Sequence, residues 1–236
     1  EDVGGGDAAA KMAILSSIAF HTRVLIDDVP YSGIDSLQSD DVDIAHELGF
    51  VMKLLGVARL VDGAVSVRVH PALVPGDHPL ASVGGADNAV LLESSMVRQI
   101  MLVGPGAGGT ETASAVVSDV LSILGSRPGS FLGGALADAG RPMAPEGSLE
   151  SAFYLRLEVA DQPGVLARIS SVLGEAGVSI LTVLQRGEGE SARLVMILHR
   201  SPEWQVRQAI DRLAEMPEVR EQPVVIHVVG TGEAPS

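Results

Sequence analysis

Cysteine is absent from the 236-residue chain, which excludes disulfide scaffolds, thiolate metal sites and cysteine nucleophiles together. A reducing, cytoplasmic setting fits that absence. Aromatics are scarce, with one Trp, two Tyr and four Phe, so the core has to be assembled from Val, Leu, Ile and Ala. Positive charge is also short: sixteen Lys and Arg stand against thirty Asp and Glu, for a net charge of -14. Such a field repels phosphate backbones and anionic membrane surfaces and excludes a general nucleic-acid binder. No apolar run approaches the ~18 residues of a membrane span. The opening Glu1-Asp2-Val3-Gly4 lacks the basic stretch that starts a signal peptide. Nor is there an initiating Met, so the chain is expected to be a piece of a longer protein. What is present is 46% apolar and 19% charged residues, the balance of a packed globular protein. At a prior of about 150 residues per domain the length suits one large domain or two smaller ones.

Residues 125–151, rich in Gly, Pro, Ser and Ala and without periodicity, read as a linker between two domains, 1–124 and 152–230. In the second, Phe153 to Val159 alternates apolar and polar residues and predicts a half-buried strand. A turn at Asp161-Gln162-Pro163-Gly164 follows. Val165, Leu166, Ile169, Val172 and Leu173 then recur at helical spacing, with Gly177 placed for a left-handed C-terminal cap. Val178 to Arg186 and Ala192 to His199 predict a strand pair. Ser201-Pro202 reads as an N-cap with Pro at N1 of a helix to about Met216, and Pro223 to Val229 closes with a strand. The order is βαββαβ, the split βαβ arrangement. The first domain is less regular: a buried helix over Asp7 to Phe20, and a second from Asp41 to Gly49 capped by Ser39 or Asp40. Strands are predicted at Lys53 to Leu60, Val65 to His70, Ala89 to Leu92 and Gln99 to Val103, with a last helix from Thr112 to Leu124. This is a mixed α/β (α+β) pattern.

Three constellations bear on chemistry. Asp7 and Lys11, four apart, share one face of the first helix. They suit either a salt bridge at the helix start, with Asp7 serving the macrodipole, or a Lys proton donor oriented by an Asp. Gly104-Pro105-Gly106-Ala107-Gly108-Gly109 matches G-x-G-x-x-G between a strand and a helix. It fails as a dinucleotide fingerprint, because the second strand with its acidic residue does not follow. The glycines then serve either close packing or the approach of a phosphate, carboxamide or carboxylate to backbone N–H groups. The turn at Asp161 to Gly164 likewise aims backbone donors over a helix mouth, where a small carboxylate would fit. None of the six histidines (His21, His46, His70, His78, His199, His227) pairs at a zinc spacing, no metal ligands are assigned, and no serine sits in a nucleophile elbow.

Two resemblances join these features. Asp161-Gln162-Pro163-Gly164-Val165-Leu166, Ala176-Gly177-Val178-Ser179-Ile180 and Val183-Leu184-Gln185 resemble the ACT domain, a βαββαβ module that binds amino acids. Asp2-Val3-x-Gly-x-Asp7-x-x-x-Lys11, Glu47-Leu48-Gly49 with Lys53-Leu54-Leu55-Gly56, His78-Pro79-Leu80-Ala81, Asn88-Ala89-Val90 and the glycine loop with Thr112-Ala113-Ser114-Ala115-Val116-Val117 resemble, in order, the substrate-binding and catalytic part of homoserine dehydrogenase.

The resemblance implies interconversion of L-homoserine and L-aspartate 4-semialdehyde with NADP or NAD, in the threonine and methionine branch of aspartate metabolism. It assigns Lys11 as the catalytic lysine, Asp7 as the residue that contacts substrate and orients it, and Asp2 as a third acid of the pocket. Gly104, Gly106 and Gly108 match the loop near the nicotinamide end of the cofactor. Asp161, Gly164 and Gln185 match the place of a regulatory amino acid, with threonine the implied effector. A homodimer or homotetramer is implied. Two departures stand out. The family's N-terminal Rossmann domain is missing, with the glutamate eleven residues before the Asp7 position that binds the substrate amino group, so the chain alone is expected to be inactive. Glu111 also stands where many relatives have Pro. The rival readings are a free-standing amino-acid-binding ACT regulatory protein and an inert truncation product.

Overall fold

In the computed structural model of the chain, which describes residues 4–34, 37–125, 140–145, 147, 149–187 and 190–230, the first sheet element is a long hairpin. β1 (Phe50–Val61) and β2 (Ala64–Pro75) pair antiparallel in unbroken register from Phe50↔Pro75 to Val61↔Ala64. The connecting Asp62 and Gly63 both take positive φ, 50° and 82°. A two-residue turn of that kind matches the twist of the flanking strands, and Asp-Gly adopts it readily.

Both strands run past the expected ends. The far half of β2 is claimed by a strand from the other end of the chain: Ala72 and Leu73 pair in parallel with His227 and Val228 of β8 (Val224–Val228). One six-stranded mixed sheet results, in the order β1-β2-β8-β5-β7-β6. The second half supplies β5 (Glu150–Ala160), α4 (Val165–Glu175), β6 (Ile180–Arg186), β7 (Ser191–Pro202), α5 (Glu203–Ala214) and β8, the βαββαβ order expected. Gly177 takes φ 75° just after α4, as its place at the helix end requires. A separate two-stranded hairpin, β3 (Asp87–Ser94) with β4 (Arg98–Pro105), leads into α3 (Gly109–Gly125), none of whose residues is buried.

The sheet is covered on both faces. Phe153, Leu155, Leu157 and Val159 of β5 pack under α4 and α5 through Val165, Ile169, Leu173, Val206, Ala209 and Leu213. On the opposite face, Tyr154, Val195, Ile197, Ile226 and Val228 pack against Ile44 and Ala45 of α2 (Ser39–Glu47), a helix from the first half of the chain. α1 (Gly6–Phe20) lies on the β1–β2 hairpin, with Ala9 and Ala13 buried against Val65, Val67 and Val69.

Three local expectations are corrected. β5 is not half-buried: Tyr154 and Arg156, assigned by alternation to a solvent face, are buried, because α2 covers that face. α2 is capped neither by Ser39 nor by Asp40. It begins at Ser39 after Gln38, whose backbone N–H donates to Asp41 Oδ2 at 3.0 Å. Ser201 does not cap α5 either; it lies within β7, one residue before the strand's end, with its hydroxyl donating to the His199 carbonyl at 3.2 Å, and α5 begins after Pro202.

A polar contact fastens α2 to β5. Arg156 Nε lies 2.7 Å from Asp41 Oδ1, the two side chains 3% and 0% exposed, and the Tyr154 hydroxyl donates to the same oxygen at 3.0 Å. Around its rim, Arg193 reaches both Glu158 and Asp40. At the β2–β8 seam His70 and His227 stack with ring centroids 4.0 Å apart, and Phe153 lies 4.9 Å from His227. His70 Nδ1 donates to the Pro71 carbonyl at 3.0 Å. Burial drives the His70 pKa down to about 4, only partly offset by that hydrogen bond, with the positive charges of Arg68 and Arg59 adding to the fall. Burial, the neighbouring His70 and the same arginines take His227 to about 2.

Two outcomes follow. Arg156→Met leaves the Asp41 carboxylate buried without its cation, and such a loss costs about 3–5 kcal/mol; urea unfolding against the wild-type chain measures it. The histidine seam sets a pH window. Above pH 6.5 both rings are neutral folded or unfolded, whereas below it the unfolded chain takes protons that the folded chain refuses until about 4 and about 2. Stability therefore falls as the pH drops from 6.5 toward 4. The urea midpoint is lower at pH 5 than at pH 7.5, and His70→Asn, which keeps a donor for Pro71 but does not titrate, makes that difference smaller.

Candidate functional site

α1 starts abruptly because Gly5 turns the chain in a left-handed conformation, φ 83°. A Cβ on Gly5 would lie 3.2 Å from the Ser32 carbonyl oxygen, so this turn is both strained and crowded for any other residue. From it α1 rises with small residues, Ala9, Ala13, Ser16 and Ser17, toward the hairpin. The helix is therefore not buried all round as its composition suggests: Ile14 and Leu15 are exposed. Asp7 and Lys11 are on the open side too, with Lys11 Nζ 2.6 Å from Asp7 Oδ2 and side chains 59% and 44% exposed. An exposed i,i+4 pair contributes only about 0.3–0.5 kcal/mol, so the contact orients the ammonium more than it holds the helix. Asp2 lies outside the described residues.

The glycine loop joins β4 to α3. Gly104 pairs with Asn88 across the hairpin, and the Thr112 N–H donates to the Gly108 carbonyl at 3.0 Å to open α3. A side chain on Gly106 would collide with the Asn88 amide, and one on Gly108 with the Glu111 carboxylate. Glu111 therefore folds back over the first turn of α3, where a phosphate would otherwise be drawn by the helix dipole. The turn fits an uncharged, carboxamide-like group beside Asn88 and disfavours an anion. No hydrogen bond or ion pair among the described residues joins this turn to the Asp7–Lys11 pair.

In the second half Gln185 Nε2 donates to Asp161 Oδ1 at 3.3 Å, bringing together a strand and a turn 24 residues apart in sequence. Gly164, φ 89°, forms the N-terminal boundary of α4. Asp161, Gly164 and Gln185 are all exposed, and β6 is an edge strand whose Leu181 and Val183 also face outward.

Sequence reasoning missed a cleft of about 740 Å³ between α2 and the β6–β7 end of the sheet, lined by Asp40, Asp43, His46, Glu47, Arg186 and Arg193 among others. Arg186 there pairs with Glu47. The one signal for the neighbouring buried contact was an Arg inside the apolar run of β5. Among the described residues no three His, Asp or Glu side chains converge on a metal position, and no helix is long and apolar enough to cross a membrane.

The family pattern described as homoserine dehydrogenase matches residues 1–121, and that of the ACT domain matches residues 153–218. The homoserine dehydrogenase of Mycobacterium tuberculosis is 42% identical over 250 residues, covering 98% of this chain and 55% of that protein. That of Corynebacterium glutamicum is 38% identical over 225 residues, covering 93% and 51%. The crystal structure of a homoserine dehydrogenase from Thiobacillus denitrificans superposes with a TM-score of 0.87 at 35% identity, over 97% of this chain and 54% of that one. The Staphylococcus aureus homoserine dehydrogenase at pH 7.5 gives 0.65 at 27% identity, over 98% and 53%. The chain spans about half the length of the curated relatives it matches. In sequence and in fold, then, the chain belongs to the homoserine dehydrogenase family, with an ACT domain in its second half.

Proposed function

We propose that this chain is the substrate-binding and regulatory part of an NAD(P)-dependent homoserine dehydrogenase, a cytoplasmic enzyme that interconverts L-homoserine and L-aspartate 4-semialdehyde on the way to threonine and methionine. Residues 1–124 carry the catalytic module, 125–151 the linker and 152–230 the ACT module. The observation that carries the reading is the Lys11–Asp7 pair on the open face of α1, within the stretch matched to the family.

The residues divide the work as follows. When the alcohol is oxidised, the amine of Lys11 takes the hydroxyl proton while the carbinol carbon gives up its hydride; in reduction the Lys11 ammonium returns that proton to the aldehyde oxygen. Asp7 holds Nζ in line and contacts the substrate, and Asp2 supplies a further acidic contact. The nicotinamide, when bound, accepts or donates the hydride. Gly104, Gly106 and Gly108 would hold its uncharged end, which suits a turn already carrying the Glu111 carboxylate. NAD and NADP both remain candidates for the cofactor.

Asp161, Gly164 and Gln185 form the proposed effector site, with threonine the first candidate: the exposed turn that holds Asp161 and Gly164 meets a side-chain amide on the edge strand β6. A homo-oligomer is part of the same reading. Leu181 and Val183 on edge strand β6, and Val116, Val120, Leu121 and Leu124 along α3, are apolar surfaces in need of cover.

Two experiments test this. Homoserine oxidation is assayed with NAD and with NADP, using the 236 residues alone and the product of the complete reading frame. Activity in the complete form only is expected, and Lys11→Ala in that form lowers kcat by about 10²-fold or more. Inactivity of both forms overturns the enzyme reading in favour of a regulatory ACT protein, and an unchanged kcat in Lys11→Ala removes the proton-transfer role. Calorimetry with threonine and other small amino acids then examines the second module: heat is expected with wild type and weakened binding with Gln185→Ala, whereas flat traces with every amino acid dispose of the effector site.

A further inference from the structure

The face of α1 that meets the hairpin is built for close approach. Ala9, Ala13 and Ser16 are buried there, and β1 brings Gly56 to the same side, between Leu54 and Ala58, which pack against that cluster. A Cβ built on Gly56 would overlap Met12 at Cγ and Sδ, and Met12 is the residue immediately after Lys11. The strand conformation does not ask for glycine, since Gly56 has no positive φ and its register partner is Val69. Glycine in a strand interior weakens the strand, and a position of close approach is one setting that offsets the loss.

Met12 is half-buried and Gly56 exposed, so what limits the response is the Met12 Cγ and not the outer atoms of the side chain. This Cγ moves only with χ1, and in a helix χ1 is confined to wells that point the side chain back along the preceding turn. At its other end α1 is held by Gly5, whose open side is closed by the Ser32 carbonyl. A helix pinned at its start and pressed outward at Met12 responds by tilting, which displaces Lys11 relative to anything approaching its open face.

We propose that Gly56 is a positioning residue for the reaction: by leaving room for Met12 it sets the height of α1 over the sheet, and so the place of Lys11 Nζ. This rests on the dehydrogenase reading above. The test uses the complete active enzyme, so an inactive wild type counts against that reading and an active wild type isolates this one. Gly56→Ala is expected to lower kcat for homoserine by about tenfold or more, because displacements of about 1 Å at a reacting group cost up to about 10²-fold, with the KM for the cofactor unchanged. The deuterium isotope effect on kcat, with homoserine labelled at the carbinol carbon, rises toward its intrinsic value as the chemical step becomes limiting. A loss of folded protein alone would leave that isotope effect where it was.

Adding Met12→Ala to Gly56→Ala clears the overlap and restores kcat toward that of Met12→Ala. Should Gly56→Ala give no folded enzyme, Met12→Leu, branched at the contacting Cγ, presses from the helix side and has to show the same lower kcat and larger isotope effect. Wild-type kcat in Gly56→Ala overturns the proposal. So does a slow Gly56→Ala that Met12→Ala fails to rescue, or slowing with an unchanged isotope effect in whichever variant folds.

Discussion

A buried charge pair decides how the two halves of this chain meet. Arg156 stands in the middle of β5 among Tyr154, Leu155 and Leu157, almost without exposure. A guanidinium there is tolerable only with a carboxylate in contact, and among the described residues the buried carboxylate beside it is Asp41 of α2. The pair commits α2 to the ACT sheet. Once α2 is docked, Gly49, with φ 83°, turns the chain directly into β1. The hairpin that follows lays β2 beside β8, and α1 comes to rest on the hairpin. Strands from both halves thus share the six-stranded sheet, with helices on both its faces.

The sequence was a good guide wherever the deciding interactions are local. The βαββαβ order, the turn at Asp161 to Gly164, the cap at Gly177 and the Asp7–Lys11 spacing all depend on neighbours within a few residues, and the structure has each of them. It was a poor guide where a distant segment decides. Alternation put Tyr154 and Arg156 in solvent because nothing near them in the chain announces α2, whose Asp41 is 113 residues from Tyr154. The sequence reading ends β2 at His70, whereas its pairing with β1 continues to Phe50↔Pro75 and β8, more than 150 residues on, joins it at Ala72 and Leu73. The helix caps failed for a subtler reason: Ser39, Asp40 and Ser201 are all capable of capping, and one-residue differences in where a helix starts are set by packing.

The glycine loop illustrates how charge refines a motif. By pattern, Gly104 to Gly109 offers a phosphate cradle, and the chain's net charge of -14 argues only weakly against it, since one turn can differ from the bulk. The Glu111 carboxylate over Gly108 is the local fact. It neutralises the pull of the α3 N-terminus on an anion and leaves the Asn88 amide as the polar group at the turn. A motif read as a string thus suggests one ligand class, while the side chain that fills its open flank suggests another.

Two ion pairs in this chain have opposite meanings because their surroundings differ. Arg156 and Asp41 are removed from water, so each depends on the other, and disturbing either disturbs the fold. Lys11 and Asp7 are half in solvent, where screening leaves the pair worth about 0.5 kcal/mol or less to stability. A pair that contributes so little to folding is free to be spaced for chemistry, and the energy that fixes its position comes from elsewhere: the Gly5 turn, the Ala9 and Ala13 contacts and the clearance at Gly56. Because the sheet contacts and the proposed reacting groups lie on opposite faces of α1, two kinds of change separate under the proposal: those on the open face would alter the chemistry with the fold intact, and those on the sheet face would reach it by moving the helix.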